Sequence, residues 1–503
     1  MKLFLIITLI LNIHNFSDAK ILDKTKNVLL IIADDAGRQN AYCQTPFLDV
    51  LAKKSLVFNR AFCSASSCSP SRSAILTGQP SHQNGMYGLH HDVHHFNSFD
   101  SVKTLPKILK DSRIRTGIIG KKHVGPDNVY PFDFAYTEEN HSILQVGRNI
   151  TYMKLLVREF LKHQDKTQPF FLYVAPHDPH RCHTNPEYGA FCEKFGNGEP
   201  GMGRIPDWTP IIYQPDELPL PYNVPDTVNA RIDVAAQYTS MSRLDQGIGL
   251  ILEELKSFGF EDNTLVLYSS DNGISFPGGR TNLYDSGLGE PLMISSPEHK
   301  SRWNQVTNTL TSLLDLAPTL IDWFQLANVT NINGNEIPIY TGQSLLPLLD
   351  KEIVNFTEAI YASQTHHEVT MYYPMRAVRT KRYKLIHNLN YKMPFPIDQD
   401  LFVSPTFQDL LNRTKSGAQV PWYKTLKQYY NRPEWELFDL KYDPMELNNI
   451  AGKDEYNSTL SDLKDMLHKW QKKTNDPWIC APHGVLEPIN NKQDFACFDL
   501  YNL

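Results

Sequence analysis

Four short apolar runs along the chain each stop abruptly at polar or ionisable side chains. Residues 28–33 run into Asp34-Asp35, and residues 116–120 into Lys121-Lys122-His123. Residues 170–175 lead to His177-Asp178-Pro179-His180, and residues 265–270 to Asp271-Asn272-Gly273. Continuous apolar runs of this length, without alternation, predict strands buried on both faces, as in a parallel sheet covered by helices. Open α/β sheets bind ligands outside the carboxyl ends of their strands, so four ends bearing acids, histidines and lysines predict a site at one sheet edge. Helical periodicity at 237–258 and 311–324 supplies the α/β alternation. After about residue 370 the texture changes. Residues 376–387 and 435–440 read as strands with partial alternation, and Leu460, Leu463, Leu467 and Trp470 fall on one helical face. This predicts a smaller α+β domain with an antiparallel sheet over 373–503, behind an α/β domain over 20–372. The intervening 390–431, rich in Pro, Tyr and Gln, reads as ordered loop whose aromatic residues need burial.

A chain of 503 residues allows two domains or one large domain with an appendage. With 41% hydrophobic residues, 21% charged residues and a net charge of −6, the chain fits neither disorder nor a basic surface that wraps nucleic acid. An anionic ligand must therefore be met by local positive charge. Met1-Lys2, an apolar run over 3–13 and Ser17-Asp18-Ala19 read as a signal peptide over 1–19. Its ~11 apolar residues fall short of the ~20 that span a bilayer, and no later segment replaces it, so no stable membrane insertion is expected. Sequons at Asn140, Asn149, Asn328, Asn355, Asn412 and Asn457 fit passage through the secretory route.

Asp34, Asp35, Asp271 and Asn272 offer oxygen ligands at two strand ends, a donor set that selects a hard cation such as Ca²⁺ over Zn²⁺. Asp34-Asp35 alone serves equally well as a cap or turn. Cys68 stands just before a predicted helix over 71–77, whose N-terminal amides favour an anion, with Arg72 a turn along. Lys121 and His123 supply a cation and a base, while Lys122 between them should point away if the segment is extended. His180 and His177 compete for contact with a reacting group, and Asp178 could orient a histidine or a sugar. Arg280 keeps a positive charge but does not readily donate a proton. The pairs His94-His95 and His366-His367 are pocket residues or parts of aromatic-rich structural loops.

Cys68-Ser69-Pro70-Ser71-Arg72, continuing to Thr77-Gly78, resembles the sulfatase signature Cys-x-Pro-x-Arg…Thr-Gly. Gly120-Lys121-Lys122-His123 is similar to the family's Gly-Lys-x-His. The resemblance implies an alkaline-phosphatase-like sulfatase fold, with a large mixed, mostly parallel sheet between helices. It implies that a formylglycine-generating enzyme oxidises Cys68 to formylglycine, whose hydrate attacks sulfur. One Ca²⁺ per subunit is then held by Asp34, Asp35, residue 68, Asp271 and Asn272. Arg72, Lys121 and Arg280 would meet anionic oxygens, His180 would protonate the leaving group, and His123 would drive release of sulfate.

Longer stretches resemble one branch of the family, the sulfatases that cleave sulfamates. These include Gly85-Met86-Tyr87-Gly88-Leu89-His90, Tyr130-Pro131-Phe132-Asp133-Phe134-Ala135-Tyr136, His366-His367-Glu368-Val369-Thr370 and Met393-Pro394-Phe395-Pro396-Ile397-Asp398-Gln399-Asp400. This implies hydrolysis of the N–S bond at the non-reducing glucosamine of heparan sulfate-derived oligosaccharides, with Asp178, His94 and His367 near the sugar, lysosomal residence and a homodimer. The competing readings are an O-sulfatase acting on another glycan and an inactive glycan-binding protein of the same fold. Seven cysteines leave six once Cys68 is set aside. Cys182 with Cys192 and Cys480 with Cys497 close short loops, and Cys43 with Cys63 is the residual pair.

Overall fold

The structure, a computed structural model, describes residues 25–38, 43–182, 188–326, 331–332, 335–336, 340–489 and 494–500. The signal-peptide segment 1–19 and Asn328 lie outside the described residues. The apolar runs form the centre of an eight-stranded mixed sheet. Its order is Gln305–Thr307, Leu56–Phe58, Leu292–Ser295, Thr264–Ser270, Asn27–Ala33, Phe170–Ala175, Arg115–Gly120 and Phe134–Thr137. The five strands from Thr264–Ser270 to Phe134–Thr137 are mutually parallel, and Leu292–Ser295 runs antiparallel to its neighbours. Along Asn27–Ala33, Val28, Leu30 and Ile32 enter one core while Leu29, Ile31 and Ala33 enter another. Burial on both faces is why the run shows no polar alternation.

One face is covered by Ile150–Lys162 and the 30-residue helix Val228–Ser257, whose first turn Thr227 caps by accepting from Ala230 N. The other face is covered by Cys68–Thr77, Leu105–Asp111 and Leu316–Trp323. The helix expected over 311–324 is shorter, because Thr311–Ser312 is strand and Leu313–Asp315 a tight 3₁₀ turn. Helix Cys68–Thr77 is buried at every residue and ends at Gly78, whose φ of +64° suits glycine; a Cβ there would come within 2.5 Å of the Tyr340 ring. Cys68 is thus the first helical residue rather than the one before the helix.

The second sheet runs Ala359–Gln364, Met375–Thr380, Tyr383–Asn388 and Trp435–Asp439, antiparallel throughout. It begins before the 372/373 boundary, so that boundary would cut off its first strand. Helix Asn457–Lys473 packs Leu463, Leu467 and Trp470 on one face. The opposite face sends Ile360, Ala362, Met375, Ala377, Ile386 and Phe438 into the core of the large sheet. The segment 390–431 corrects the loop expectation, since it carries helices Gln399–Phe402, Pro405–Ser416 and Leu426–Tyr430. Its local signals are ordinary ones: Ser404 caps Phe407 N, Pro405 opens the helix, and Gly417 closes it at φ 72°.

Cys182–Cys192 and Cys480–Cys497 are disulfides. Cys43 and Cys63 are unpaired, because Cys43 packs into the core on one face of the large sheet and Cys63 into the core on the other. Among the described residues no helix is long and apolar enough to cross a membrane.

Candidate active site

The strand ends at 33, 120, 175 and 270 meet at one edge of the large sheet, where Asp34, Asp35, Asp271, Asn272 and Cys68 are fully or almost fully buried. Arg72 ties them together. Its Nε donates to Asp271 Oδ2 at 2.9 Å, its Nη1 to Lys121 O and the Tyr173 hydroxyl, and its Nη2 lies 3.3 Å from Asp34 Oδ1. Lys121 Nζ donates to Asp34 Oδ2 at 2.6 Å. Arg280 Nη1 donates to Asp35 Oδ2 at 2.7 Å and to His180 Nε2 at 3.0 Å, and its Nη2 is held by Asp398 and Asp400. The turn that delivers Lys121 depends on Gly120 at φ +98°, where a Cβ would come within 2.1 Å of Ala175 O. His123 also has positive φ, so Lys122 leaves the site towards Asp127 through a bent chain, not an extended one.

The electrostatics call for a cation. Burial works to raise Asp34, yet Lys121 and Arg72 hold it below the usual carboxylate range. Burial pushes Asp35 up to about 7 against Arg280, and Asp271 up to about 6 against Arg72. Asp34, Asp35, Cys68 and His180 each offer a ligand atom, all within 4.8 Å of one another. Asn272 donates through Nδ2 to Asp35 Oδ1, and its buried Oδ1 has no hydrogen bond among the described residues. Oxygen-rich donors and an orphaned amide oxygen fit a hard divalent ion. Asp271 sits beside this group: its Oδ1 accepts from Asp35 N and Asn272 N, and its Oδ2 from Arg72. Burial lifts the Cys68 thiol well above its ordinary value despite Lys121, so the unmodified thiol is a poor nucleophile.

Above this floor opens a cavity of about 740 Å³ lined by Cys68, Lys121, His123, His180, Arg280, His94 and His367. Its volume suits a sugar-sized ligand. His367 Nδ1 shares a hydrogen bond with Ser67 Oγ at 2.8 Å, and His94 Nδ1 accepts from Val369 N at 3.1 Å. His180 Nδ1 donates to Arg181 O at 2.7 Å, which directs its Nε2 to the metal-ligand group and Arg280.

The family model described as Sulfatase matches residues 26–326. The chain belongs to the sulfatase family. A second model, described as N-sulphoglucosamine sulphohydrolase, C-terminal, matches residues 279–398 and 409–473 of this sulfatase. The sulfatase is 58% identical to human N-sulphoglucosamine sulphohydrolase over 95% of its own chain and 96% of the relative. It is 24% identical to an N-acetylglucosamine-6-O-sulfatase of Bacteroides thetaiotaomicron, over 90% of this chain and 88% of that one. A solved structure in complex with its substrate D-glucosamine-2-N,6-O-disulfate matches with a TM-score of 0.63 at 20% identity, covering 90% of this chain and 99% of that chain. At that identity the likeness shows the fold.

One expectation for the sulfatase needs adjustment. Asp178 is not a wall residue, because its carboxylate is turned inward and spent on Arg148 Nη1 at 2.5 Å and on Arg243 Nε and Nη2 at 2.7 and 2.8 Å. Replacing Asp178 with Ala would strand two buried guanidinium groups. We expect a loss of about 3–5 kcal/mol in urea unfolding, and a stability within about 1 kcal/mol of the parent would refute the anchoring role. His177, the competitor of His180, faces Glu138 Oε1 at 2.7 Å and Asp34 Oδ2 at 3.5 Å on the cavity wall. Sequence reasoning missed His91, Glu138 and Asp398-Asp400. His91 lies on a connection outside the strand-end pattern, Glu138 directly follows the edge strand Phe134–Thr137, whose short, part-exposed run gave no strand signal, and Asp398-Asp400 fall in the segment read as loop. Of the described sequons, Asn140, Asn355, Asn412 and Asn457 are exposed. Asn149 is part-buried and caps a helix by accepting from Tyr152 N.

Proposed function

We propose that this sulfatase hydrolyses the sulfamate N–S bond of N-sulfated glucosamine at the non-reducing end of heparan-type chains. The observation that carries the proposal is 58% identity, over nearly the whole of both chains, to a relative whose name is N-sulphoglucosamine sulphohydrolase. Cys68, once converted to formylglycine by a formylglycine-generating enzyme, supplies the nucleophilic hydroxyl that a buried thiol lacks. Calcium, held by Asp34, Asp35, Asp271, Asn272 and residue 68, would offset the excess negative charge of the floor and polarise the sulfonate.

The chain's own residues do the rest. Lys121 brings fixed positive charge from the cavity wall to the sulfonate oxygens in a water-poor site, where it counts for more than in bulk solvent, and Arg72, buried beneath it against Asp271 and Asp34, would stabilise the hydrate. Arg280 braces His180 and adds a cation on the same side. His180, whose Nε2 accepts from Arg280 in this structure, would take up a proton there and deliver it to the leaving nitrogen. His123 is held far below its ordinary value by burial first, then by Lys121 and His91, so it rests neutral and able to accept a proton. His94 and His367 contact the sugar from the cavity wall.

Purified protein assayed on N-sulfoglucosamine and on 6-O- and 2-O-sulfated sugars is expected to release sulfate from the sulfamate at least about 100-fold faster in kcat/KM, a gap of about 3 kcal/mol. Turnover of the O-sulfated sugars alone would overturn the proposal in favour of an O-sulfatase. The same reading carries lysosomal residence through the secretory route, glycans on the exposed sequons, and a homodimer that sedimentation would register as twice the chain mass.

A further inference from the structure

His91 belongs to none of the motifs, yet it sits against the proposed base. The two imidazole rings lie 4.4 Å apart between centroids at a 30° tilt, with His123 Nε2 in hydrogen-bonding contact with His91 Nδ1. His91 lines the cavity, and its side chain is 24% exposed where that of His123 is buried. At its other end, His91 Nε2 lies 3.8 Å from Asp92 Oδ2, on a carboxylate that is 83% exposed. The negative charge of Asp92 favours the tautomer with the proton on His91 Nε2, in which Nδ1 is the acceptor. In that tautomer His123 donates through Nε2, and its Nδ1 carries the lone pair. That buried Nδ1 makes no hydrogen bond to any described residue.

We propose that His91 is a proton relay for His123, a positioning residue that fixes which ring nitrogen acts as base and carries the proton out to solvent. The proposal rests on the assignment of His123 as base. His123 Nδ1 gains a proton from the reacting group while the bond from His123 Nε2 to its own proton breaks and that proton joins His91 Nδ1. His123 leaves the step neutral, with its tautomer reversed. His91 becomes an imidazolium and releases its Nε2 proton to water beside Asp92. His123 resets once the reaction is over, as its Nδ1 yields the proton it gained to water that replaces the departing sulfate, His91 Nε2 regains a proton from solvent and His91 Nδ1 returns its own to His123 Nε2. The need for such an exit follows from the surroundings of His123, where burial and the Lys121 ammonium disfavour a lasting imidazolium.

The experiment compares the parent, His91→Ala, His91→Asn and His123→Ala, each with formylglycine at residue 68 confirmed by mass and with its unfolding transition recorded. Parent protein that fails to release sulfate from N-sulfoglucosamine defeats the proposed function and the relay with it. If the parent turns over and His123→Ala is as fast, the base assignment fails. If both hold, His91→Ala is expected to lower kcat about 10- to 100-fold with KM within about 2-fold, and added imidazole should restore part of the rate by entering the vacated, solvent-open position. His91→Asn keeps an acceptor for His123 Nε2 but cannot pass a proton, so it is expected to stay slow. A parent-like kcat in His91→Ala, full recovery in His91→Asn, or no response to imidazole would each overturn the relay.

Discussion

Cys68→Ser and Cys68→Ala proteins should fold, bind N-sulfated glucosamine and release no sulfate, with kcat down on the order of 10⁴-fold or more. Cys68 is the first residue of a helix buried at every position, and its Sγ lies 4.0 Å from Asp35 Oδ1. A serine hydroxyl fits that space with little cost to packing, so the unfolding transition should move by only about 1 kcal/mol. What is lost is chemistry. Burial holds the native thiol protonated, and a serine that attacked sulfur would stay sulfated, because it lacks the second hydroxyl through which the hydrate releases sulfate. Initial rates beside peptide mass analysis of residue 68 check the point. Parent protein that is fully active with an unmodified thiol at 68 would show that the residue is not the nucleophile.

Stripping divalent cations should destabilise the protein in a pH-dependent way as well as silence it. Without a cation, burial holds folded Asp35 at about 7 and Asp271 at about 6, each above the ordinary aspartate value of 3.8. A carboxyl whose folded value is raised keeps a proton that the unfolded chain releases, so stability falls as pH rises from about 4 to about 7 and is restored on acidification. For Asp35 alone the loss is on the order of 4 kcal/mol across that window. Added calcium binds the ionised carboxylates and should flatten the slope and raise the unfolding temperature, most at neutral pH. Thermal unfolding of chelated protein at pH 4.5, 6 and 7.5, with and without calcium, reads this directly. A cation-free protein that grows more stable across the window would contradict the charge balance described for the floor.

The fold was legible where one physical cause dominated. The runs at 28–33, 170–175 and 265–270 are apolar because both faces of the sheet are covered, and the strands Asn27–Ala33, Phe170–Ala175 and Thr264–Ser270 lie within a residue of them. The helical face of Leu463, Leu467 and Trp470 was equally plain. Where causes competed, the reading slipped. Residues 390–431 carry three helices, but their proline and tyrosine content masks the caps at Ser404 and Thr425. Asp178 stands in a motif of histidines, and nothing in its neighbours along the chain reveals Arg148 and Arg243, which reach it from two helices.

By itself the sequence determined the kind of chemistry: a cysteine in a sulfatase signature, acids for a hard cation, and a lysine and a histidine two residues apart at a strand end. These are local facts, because one motif or one strand terminus holds each of them. The tertiary structure decided which of these groups meet and which do not. It turned Asp178 inward, separated Cys43 from Cys63 by the thickness of a sheet, and brought Asp398 and Asp400 from the second sheet's connections onto Arg280. It also laid His91 against His123. Such pairings join residues tens to hundreds of positions apart, and only the packing of sheets and helices around a shared core fixes the distances between them.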